Sequence, residues 1–475
     1  MDGLEAVEIN LSVCKDIIDF RIDANTYKKN YIKSEKLISE KPNKKIEDLS
    51  ISVQNFGAYS LCNFINFTNT GIPFLMTYNI RHNYIDWNIE KCVDVESHNK
   101  LYKSHCFKNQ ILVTMAGEYL GRVAVYNRDF VCSSNQAIAK ITLKNGISPY
   151  MISTFLNSIH GQNQINRYRT ITGQPNINMS LIKNLRIPIF TIAFQCEIEN
   201  AVKAAHVRLE KSQSLYEDAE KILLKELGLT VFALSKKNFS IKSFSESLGI
   251  SGRLDAEYYQ PKYDELLSAI AKYNSHKLGD IVNIKKSIEP GSEAYQEEGI
   301  PFIRVSNISK FELTTSEIHL DRAFYEIEKL KPLKDTILLT KDGSVGIAYK
   351  VNEDLDVITS GAILHLTVKN NGFLPDYLTL VLNSIVVQLQ AQRDAGGSII
   401  QHWKPSEIEK VRIPILDIPA QQIITNRIQK SFALRKEAAK LLEQAKQTVE
   451  IAIEYGEESA LNFLKTAVEG VDINA

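Results

Sequence analysis

Ile198-Glu-Asn-Ala-Val-Lys-Ala-Ala-His-Val-Arg-Leu-Glu-Lys-Ser-Gln-Ser-Leu-Tyr-Glu-Asp-Ala-Glu-Lys-Ile-Leu223 is the stretch whose reading decides the fold. Taken at alternating four- and three-residue steps, it places Ile198, Val202, Ala205, Leu209, Ser212, Tyr216, Ala219 and Leu223 on one face. A stripe at 3.5-residue spacing held over several heptads is the pattern of a coiled-coil seam, because that period keeps the same side chains facing a partner helix. The pattern predicts a helix over residues 194–227, roughly 50 Å long at 1.5 Å per residue. A second copy begins at Gln421, 226 residues after Gln195, and predicts a helix over 420–453. Its seam is Ile424, Ile428, Ala438, Leu442, Ala445 and Val449, with Ser431 and Arg435 as weaker positions. Two such helices in one chain can bury their stripes against each other as an antiparallel pair.

The repeat extends outward from the helices. Gly71-Ile-Pro-Phe-Leu-Met-Thr-Tyr-Asn-Ile80 returns as Gly299-Ile-Pro-Phe-Ile-Arg-Val-Ser-Asn-Ile308. Ile111-Leu-Val-Thr-Met-Ala-Gly117 returns as Ile337-Leu-Leu-Thr-Lys-Asp-Gly343, Leu156-Asn-Ser158 as Leu382-Asn-Ser384, and Leu185-Arg-Ile-Pro-Ile189 as Val411-Arg-Ile-Pro-Ile415. At the front, Arg21-Ile-Asp-Ala24 answers Arg253-Leu-Asp-Ala256. An internal repeat on this scale means one architecture made twice. Each copy runs from an entry segment through a globular domain and an Arg-Ile-Pro-Ile exit into a long helix. Within the globular parts, Ile111–Thr114, Gly121–Tyr126, Ile337–Thr340 and Val345–Val351 read as strands between turns, and Tyr150–His160 and Tyr377–Gln392 as helices, each entered through a proline. The expected class is mixed α/β (α+β): two domains separated by two long antiparallel helices. The boundaries are 1–190 and 230–416 for the domains, 191–229 and 417–456 for the helices, and 457–475 for a C-terminal tail, with Thr230–Ser251 connecting the copies.

Composition narrows the class without naming a partner. The chain has 475 residues, 44% hydrophobic and 24% charged, with 56 basic and 56 acidic side chains. Zero net charge argues against a general polycation but leaves room for a local basic cleft. The first ten residues are acidic and carry no apolar run, as expected without a secretory signal, and no apolar stretch reaches the ~20 residues needed to span a bilayer. Six cysteines without a Cys-x-x-Cys pair point to reduced thiols in a cytoplasm rather than disulfides or zinc. Catalytic signatures are missing from the sequence: no Gly-x-Gly-x-x-Gly, no phosphate-cradling Gly-x-x-x-x-Gly-Lys-Ser/Thr, no His-Glu-x-x-His, no Gly-x-Ser-x-Gly, and no Asn-Pro-Pro-Tyr or Asp-Pro-Pro-Tyr. Pro375-Asp376 reads as a helix entry rather than the start of a nuclease core. The expectation is a chain that binds and does not catalyse.

With these pieces in order, the chain resembles a specificity subunit of a Type I restriction–modification system. The resemblance covers nearly the whole chain. It rests on Arg253-Leu-Asp-Ala-Glu-Tyr-Tyr-Gln-Pro261, Gly299-Ile-Pro-Phe-Ile-Arg304, Leu338-Leu-Thr-Lys-Asp-Gly-Ser-Val-Gly346, Thr172-Gly-Gln-Pro-Asn-Ile-Asn178 before Leu185-Arg-Ile-Pro-Ile189, and the doubled order of domain and helix. It implies two target recognition domains, each reading half of a split site in double-stranded DNA, and a helical pair that spaces them. It implies two copies of a methyltransferase (modification) subunit that carry S-adenosylmethionine and methylate adenine. A restriction subunit using ATP and Mg joins where one exists. The chain itself is expected to hold no cofactor and no metal.

Because the two copies are alternative solutions on one scaffold, matching positions should build the scaffold and differing positions should read DNA. Arg304, Lys341 and His402 differ from their counterparts and, with Ser344 and Lys404, are the candidates in the second copy. Arg81, His82, Asn83, Arg167, Arg169, Gln174, Asn176 and Asn178 are the comparable polar residues in the first. Arginine, asparagine and glutamine can grip base edges bidentately. Asn79 and Asn307 match, which favours a turn cap or a phosphate contact, and Asn307 stays among the DNA-contacting candidates. The glycine loops Gly117–Gly121 and Gly343–Gly346 read as hairpin turns. Arg208, Glu210, Lys211, Arg435 and Lys436, on the outer helix faces, are the candidates for docking other subunits. Two other readings stay open at this point: a methyltransferase or nuclease with an unrecognised site, and a coiled-coil scaffold with no DNA role.

Overall fold

The computed structural model describes residues 6–468 apart from 17–19, 58, 171–172, 231, 233–234, 236, 238 and 371. It is a mixed helix-and-sheet protein that divides into two compact units, residues 1–209 with 435–475 and residues 210–434. In the first unit, strands β1 (Ser50–Gln54), β2 (Ile111–Thr114), β3 (Val123–Val125) and β4 (Ile138–Leu143) form an antiparallel sheet in the order β1-β4-β2-β3. All four residues of β2 are buried, as expected of a central strand written as one apolar run. Helices α1 (Pro149–Asn157) and α2 (Ile159–Tyr168) cover it. A single helix was expected over this stretch. Ser158 divides it, because its extended backbone ends α1 while its hydroxyl accepts the Gly161 N–H at the start of α2.

The long helix α3 spans Ile192–Glu226, 35 residues. Its first part lies in the first unit, where Phe194, Ile198, Ala201, Val202 and Ala205 share one core with Ala438, Leu441, Leu442, Ala445 and Val449 of the second long helix. Contacts at two levels of this pair, Thr191 with Glu457 and Arg208 with Glu437, show that the helices run antiparallel there. Residues 457–468, expected as a tail, form a helix whose Ala460 and Leu464 join the same core.

The second unit repeats the plan. Strands β5 (Val282–Lys286), β6 (Ile337–Thr340), β7 (Ala348–Lys350) and β8 (Ile363–Val368) pair in the order β5-β8-β6-β7, with α4 (Pro375–Asn383) and α5 (Ile385–Asp394) following and Ser384 between them. The second long helix α6 runs Ile418–Tyr455, 38 residues. Tyr216, Ala219, Leu223 and Leu227 of α3 pack with Ile424 and Ile428 of α6 in this unit's core. Two polar seam positions meet: Ser431 donates to the Ser212 carbonyl at 2.8 Å, and the two hydroxyls lie 2.9 Å apart, fully buried. A paired polar layer in an apolar seam opposes slippage, since a shift would leave both hydroxyls buried without partners.

The two copies agree down to single hydrogen bonds. Gln195 accepts the N–H of Ser148 at 3.1 Å, and Gln421 accepts that of Leu374 at 2.9 Å. Gln164 and Gln390 each clasp the backbone of the exit strand, donating to the carbonyls of Arg186 and Arg412 and accepting the N–H of the same residues. Each exit strand pairs antiparallel with an entry strand, Asn43–Lys45 with Arg186–Pro188 and Ser275–Lys277 with Arg412–Pro414. The glutamines therefore tie each domain to the root of its own helix. Beside β4 and β8 the copies diverge chemically. Lys140 is fully buried and donates to Ser134 Oγ at 3.2 Å, whereas His365 bonds Thr359 Oγ1 at 2.8 Å. Burial lowers both groups below their ordinary values, His365 to about 4, with Lys285 on the paired strand adding repulsion.

Candidate nucleic-acid interface

Each unit carries a polar ridge at one end of its four-stranded sheet, built from three adjacent loops. In the second unit the hairpin after β6 contains Lys341, Asp342, Gly343 and Ser344. Gly343 N–H donates to Gln401 O at 2.9 Å, Trp403 N–H to Lys341 O at 2.8 Å, and Lys341 N–H to Ala362 O at 2.8 Å. The turn at 360–362 is joined in turn to Ile303, whose carbonyl accepts the Ser360 N–H at 2.8 Å. Arg304, Lys341 and His402, far apart in sequence, thus stand on neighbouring loops. The first unit has the same wiring: Gly117 N–H to Pro175 O, Met115 N–H to Ala137 O, and Asn135 N–H to Leu75 O. This brings Gln174 and Asn176 beside the Gly117 hairpin.

The hairpins need their glycines. Gly117, Gly121, Gly343 and Gly346 all have positive φ, between 73° and 87°, where a side chain is strained. Gly343 and Ser344 are exposed, as are Arg304, Gln401, His402 and Lys404. Asp342 organises the ridge, with one carboxylate oxygen 2.8 Å from His402 Nδ1 and the other paired to the Lys341 ammonium. The sequence did not point to Ile399 and Ile400 on this loop, because nothing in an Ile-Ile pair tells surface from core; Ile399 is 94% exposed. Trp403 is buried in the second unit's core instead of lining the ridge.

Several expected readers lie elsewhere. Arg167 is buried, with Nε donating to Thr26 O at 3.1 Å, its guanidinium against Glu35 and over the Tyr27 ring. Asn83 is buried with positive φ and accepts from Ser153 and Asn157. Both hold the first unit together, and polar character alone could not separate them from surface readers. The 81–83 turn as a whole sits against α1 and α3 rather than on the ridge: Arg81 faces Asp86 at 3.8 Å, and His206 Nε2 bonds Asn83 O at 2.7 Å. His82 keeps part of its ring in solvent. Desolvation, then the cations Arg122, Lys446 and Arg81, hold its imidazole below the ordinary histidine value, against the hydrogen bond to Asn157, which raises it. Asn178 caps a short helix by accepting the Leu181 N–H, and Asn307, like Asn79, caps a turn, accepting the Arg304 N–H at 3.0 Å. Arg169 is exposed at the root of the 170–178 loop; Thr172 lies outside the described residues.

The docking residues also divide. Arg208, expected on an outer face, is 5% exposed, donating to Ala204 O and to Glu437 at 3.1 Å each. Glu210, Lys211 and Lys436 are exposed, and Arg435 is half-buried. Among the described residues no group of three or more His, Cys, Asp or Glu is arranged to hold a metal ion, and no helix is long and apolar enough to cross a membrane.

Residues 271–447 match the family model described as the Type I restriction modification DNA specificity domain. The match spans most of the second domain and of α6. The Type I restriction enzyme EcoBI specificity subunit of Escherichia coli is 20% identical over 341 residues, covering 69% of this chain and 67% of that one. Similar solved structures include the Type I restriction–modification S subunit from M. genitalium, with 18% identity, TM-score 0.34, and 90% and 95% of the two chains covered. Another is the HsdS subunit from Thermoanaerobacter tengcongensis, with 13% identity, TM-score 0.29, and 87% and 97% covered.

Proposed function

We propose, from the membership of residues 271–447 in the Type I restriction modification DNA specificity family, that the chain is the non-catalytic DNA-recognition subunit of such a system. The single observation that carries the reading to the whole chain is the duplication. The first unit repeats the second's four-stranded sheet in the same strand order and its backbone-clasping glutamines one for one, so a DNA-reading domain present once is present twice. Two readers on one chain call for a DNA site in two halves. The helices α3 and α6 are the spacer between those readers, and a spacer of fixed length selects the number of unread base pairs between the half-sites.

The residues proposed to meet DNA are those exposed on the ridges, Arg304, Ser344, His402 and Lys404 in the second unit and Gln174 and Asn176 with Arg169 in the first, together with the half-buried Lys341 paired to Asp342. Arg81 and His82 are a second, separate group of the first unit. The bound chain directs adenine methylation by two copies of a methyltransferase subunit, which supply S-adenosylmethionine. Where a restriction subunit is present, ATP and Mg belong to it. The complex acts on cytoplasmic DNA. The test is to co-purify the chain with the products of its neighbouring genes and to sequence the methylome of cells with and without it. A split adenine-methylated motif that vanishes with the chain is the expected result. Methylation that persists without the chain, or an undivided motif, refutes the reading.

A further inference from the structure

The entry motifs Arg21-Ile-Asp-Ala24 and Arg253-Leu-Asp-Ala256 build the same device in both units. Arg21 Nε donates to Asp23 at 2.8 Å and its Nη1 to the Arg169 carbonyl at 2.7 Å. Arg253 donates to both carboxylate oxygens of Asp255, at 2.8 and 2.6 Å, and its Nη1 to the Asp394 carbonyl at 3.0 Å. A tyrosine closes each motif from below: Tyr27 OH donates to Arg21 O, and Tyr259 OH to Arg253 O. Even the residue before the arginine agrees, since Phe20 (φ 44°) and Gly252 (φ 70°) both take the left-handed conformation. For Phe20 that conformation is strained, so the turn is kept in the first unit without the residue that makes it easy.

The effect of all this bonding is to hold one aliphatic side chain out into solvent. Ile22 is 74% exposed and Leu254 67%. Chance exposure of one apolar residue needs no explanation, but the same rigid support presenting a branched aliphatic at the equivalent point of two units does. The arginines clamp the carbonyls where α2 and α5 end, which is the root of the loops 170–178 and 395–404 on the ridges. A protein seated on Ile22 or Leu254 therefore stands beside the loop proposed to read that half-site.

We propose that Ile22 and Leu254 are equivalent docking knobs for two copies of one protein, the methyltransferase subunit, one copy on each unit. The inference rests on the function proposed above and sharpens it. Duplicate knobs fit one complementary pocket used twice, and a position next to the reading loop is where a subunit that modifies the half-site must be. It adds the entry motifs to the exposed helix positions Glu210, Lys211 and Lys436 as surfaces for that subunit.

The test uses the full chain co-expressed with its methyltransferase, comparing wild type, Ile22→Asp, Leu254→Asp and the double variant by native mass spectrometry, with binding of each purified chain to its methylated-motif duplex followed by fluorescence anisotropy. Each single variant should weaken one of two methyltransferase sites by about tenfold or more, a loss expected of a central apolar contact, and the double variant should lose both. DNA affinity of the chain alone should stay within about twofold, as for surface changes that leave a fold intact. A double variant that still carries two methyltransferase copies at wild-type affinity overturns the proposal. So does a parallel loss of DNA affinity, which would make the motif a support for the reading loop only, and so does a chain dimer that the double variant splits while methyltransferase binding is unchanged. Failure of the parent function would look different: the wild-type chain would show no sequence-selective DNA binding.

Discussion

His365 makes the second unit sensitive to acid in a way that can be calculated. Its ring is 6% exposed, hydrogen-bonded to Thr359, and opposite Lys285 on the neighbouring strand. Burial and that cation lower its pKa from 6.5 to about 4. A histidine whose folded value is depressed stays neutral while the unfolded chain takes up a proton. Stability is therefore complete above pH 6.5, falls as the pH drops through the window from 6.5 to 4, and levels off below. One pKa unit is about 1.36 kcal/mol, so the loss is about 2 kcal/mol at pH 5 and about 3.4 kcal/mol below pH 4. The assay exploits the two tryptophans of the chain. In a Trp87→Phe background, buried Trp403 alone reports the second unit, and its fluorescence follows urea unfolding at pH 7 and pH 5. His365→Gln in that background keeps a partner for the buried Thr359 hydroxyl but cannot titrate. Between pH 7 and pH 5 the histidine form should lose about 2 kcal/mol more than the glutamine form. Equal losses in the two proteins would refute the assignment of a buried neutral imidazole.

Three further outcomes test other parts of the structure. Four residues inserted after Gln213 and, at the antiparallel level, after Lys430 lengthen each helix by about 6 Å, close to two base pairs at ~3.4 Å each. Methylome sequencing should then show the unread spacer longer by one or two base pairs, and an unchanged spacer rejects the helices as a ruler. Arg208→Glu places a carboxylate at a buried position facing the exposed Glu437 and should destabilise the first unit by about 3 kcal/mol, whereas Lys211→Glu, on the surface, should change stability by less than about 0.5 kcal/mol; equal melting temperatures by circular dichroism would contradict the burial of Arg208. Arg304→Ala should cost about 1–3 kcal/mol on the proper half-site, and an equal loss on a scrambled half-site, read by anisotropy, would make Arg304 a phosphate contact rather than a base reader.

The sequence alone determined the architecture. Periodicity and repetition are local properties that survive without coordinates: a 3.5-residue stripe must find a partner, and a chain that repeats its motifs about 226 residues on must build the same domain again. Hence α3, α6, β2 and β6 fall where the pattern put them. The rule that matching positions form scaffold also held where it could be read residue by residue, as Asn79 and Asn307 cap the same turn in the two copies. What the sequence could not decide is which polar residues face outward. Arg167 and Arg169 are two residues apart, yet one is sealed in a core and the other exposed, because burial depends on what the rest of the chain lays over a helix end. Ile22 and Leu254 show the converse. By composition they belong in a core, and only the folded entry motif, bonded to backbone some 140 residues away, holds them in solvent. Likewise the Ser212–Ser431 layer, a polar interruption of the stripe, became a register lock only once the two helices lay antiparallel. Pattern fixed the elements, and the contacts between distant segments fixed which of their side chains remain free to act.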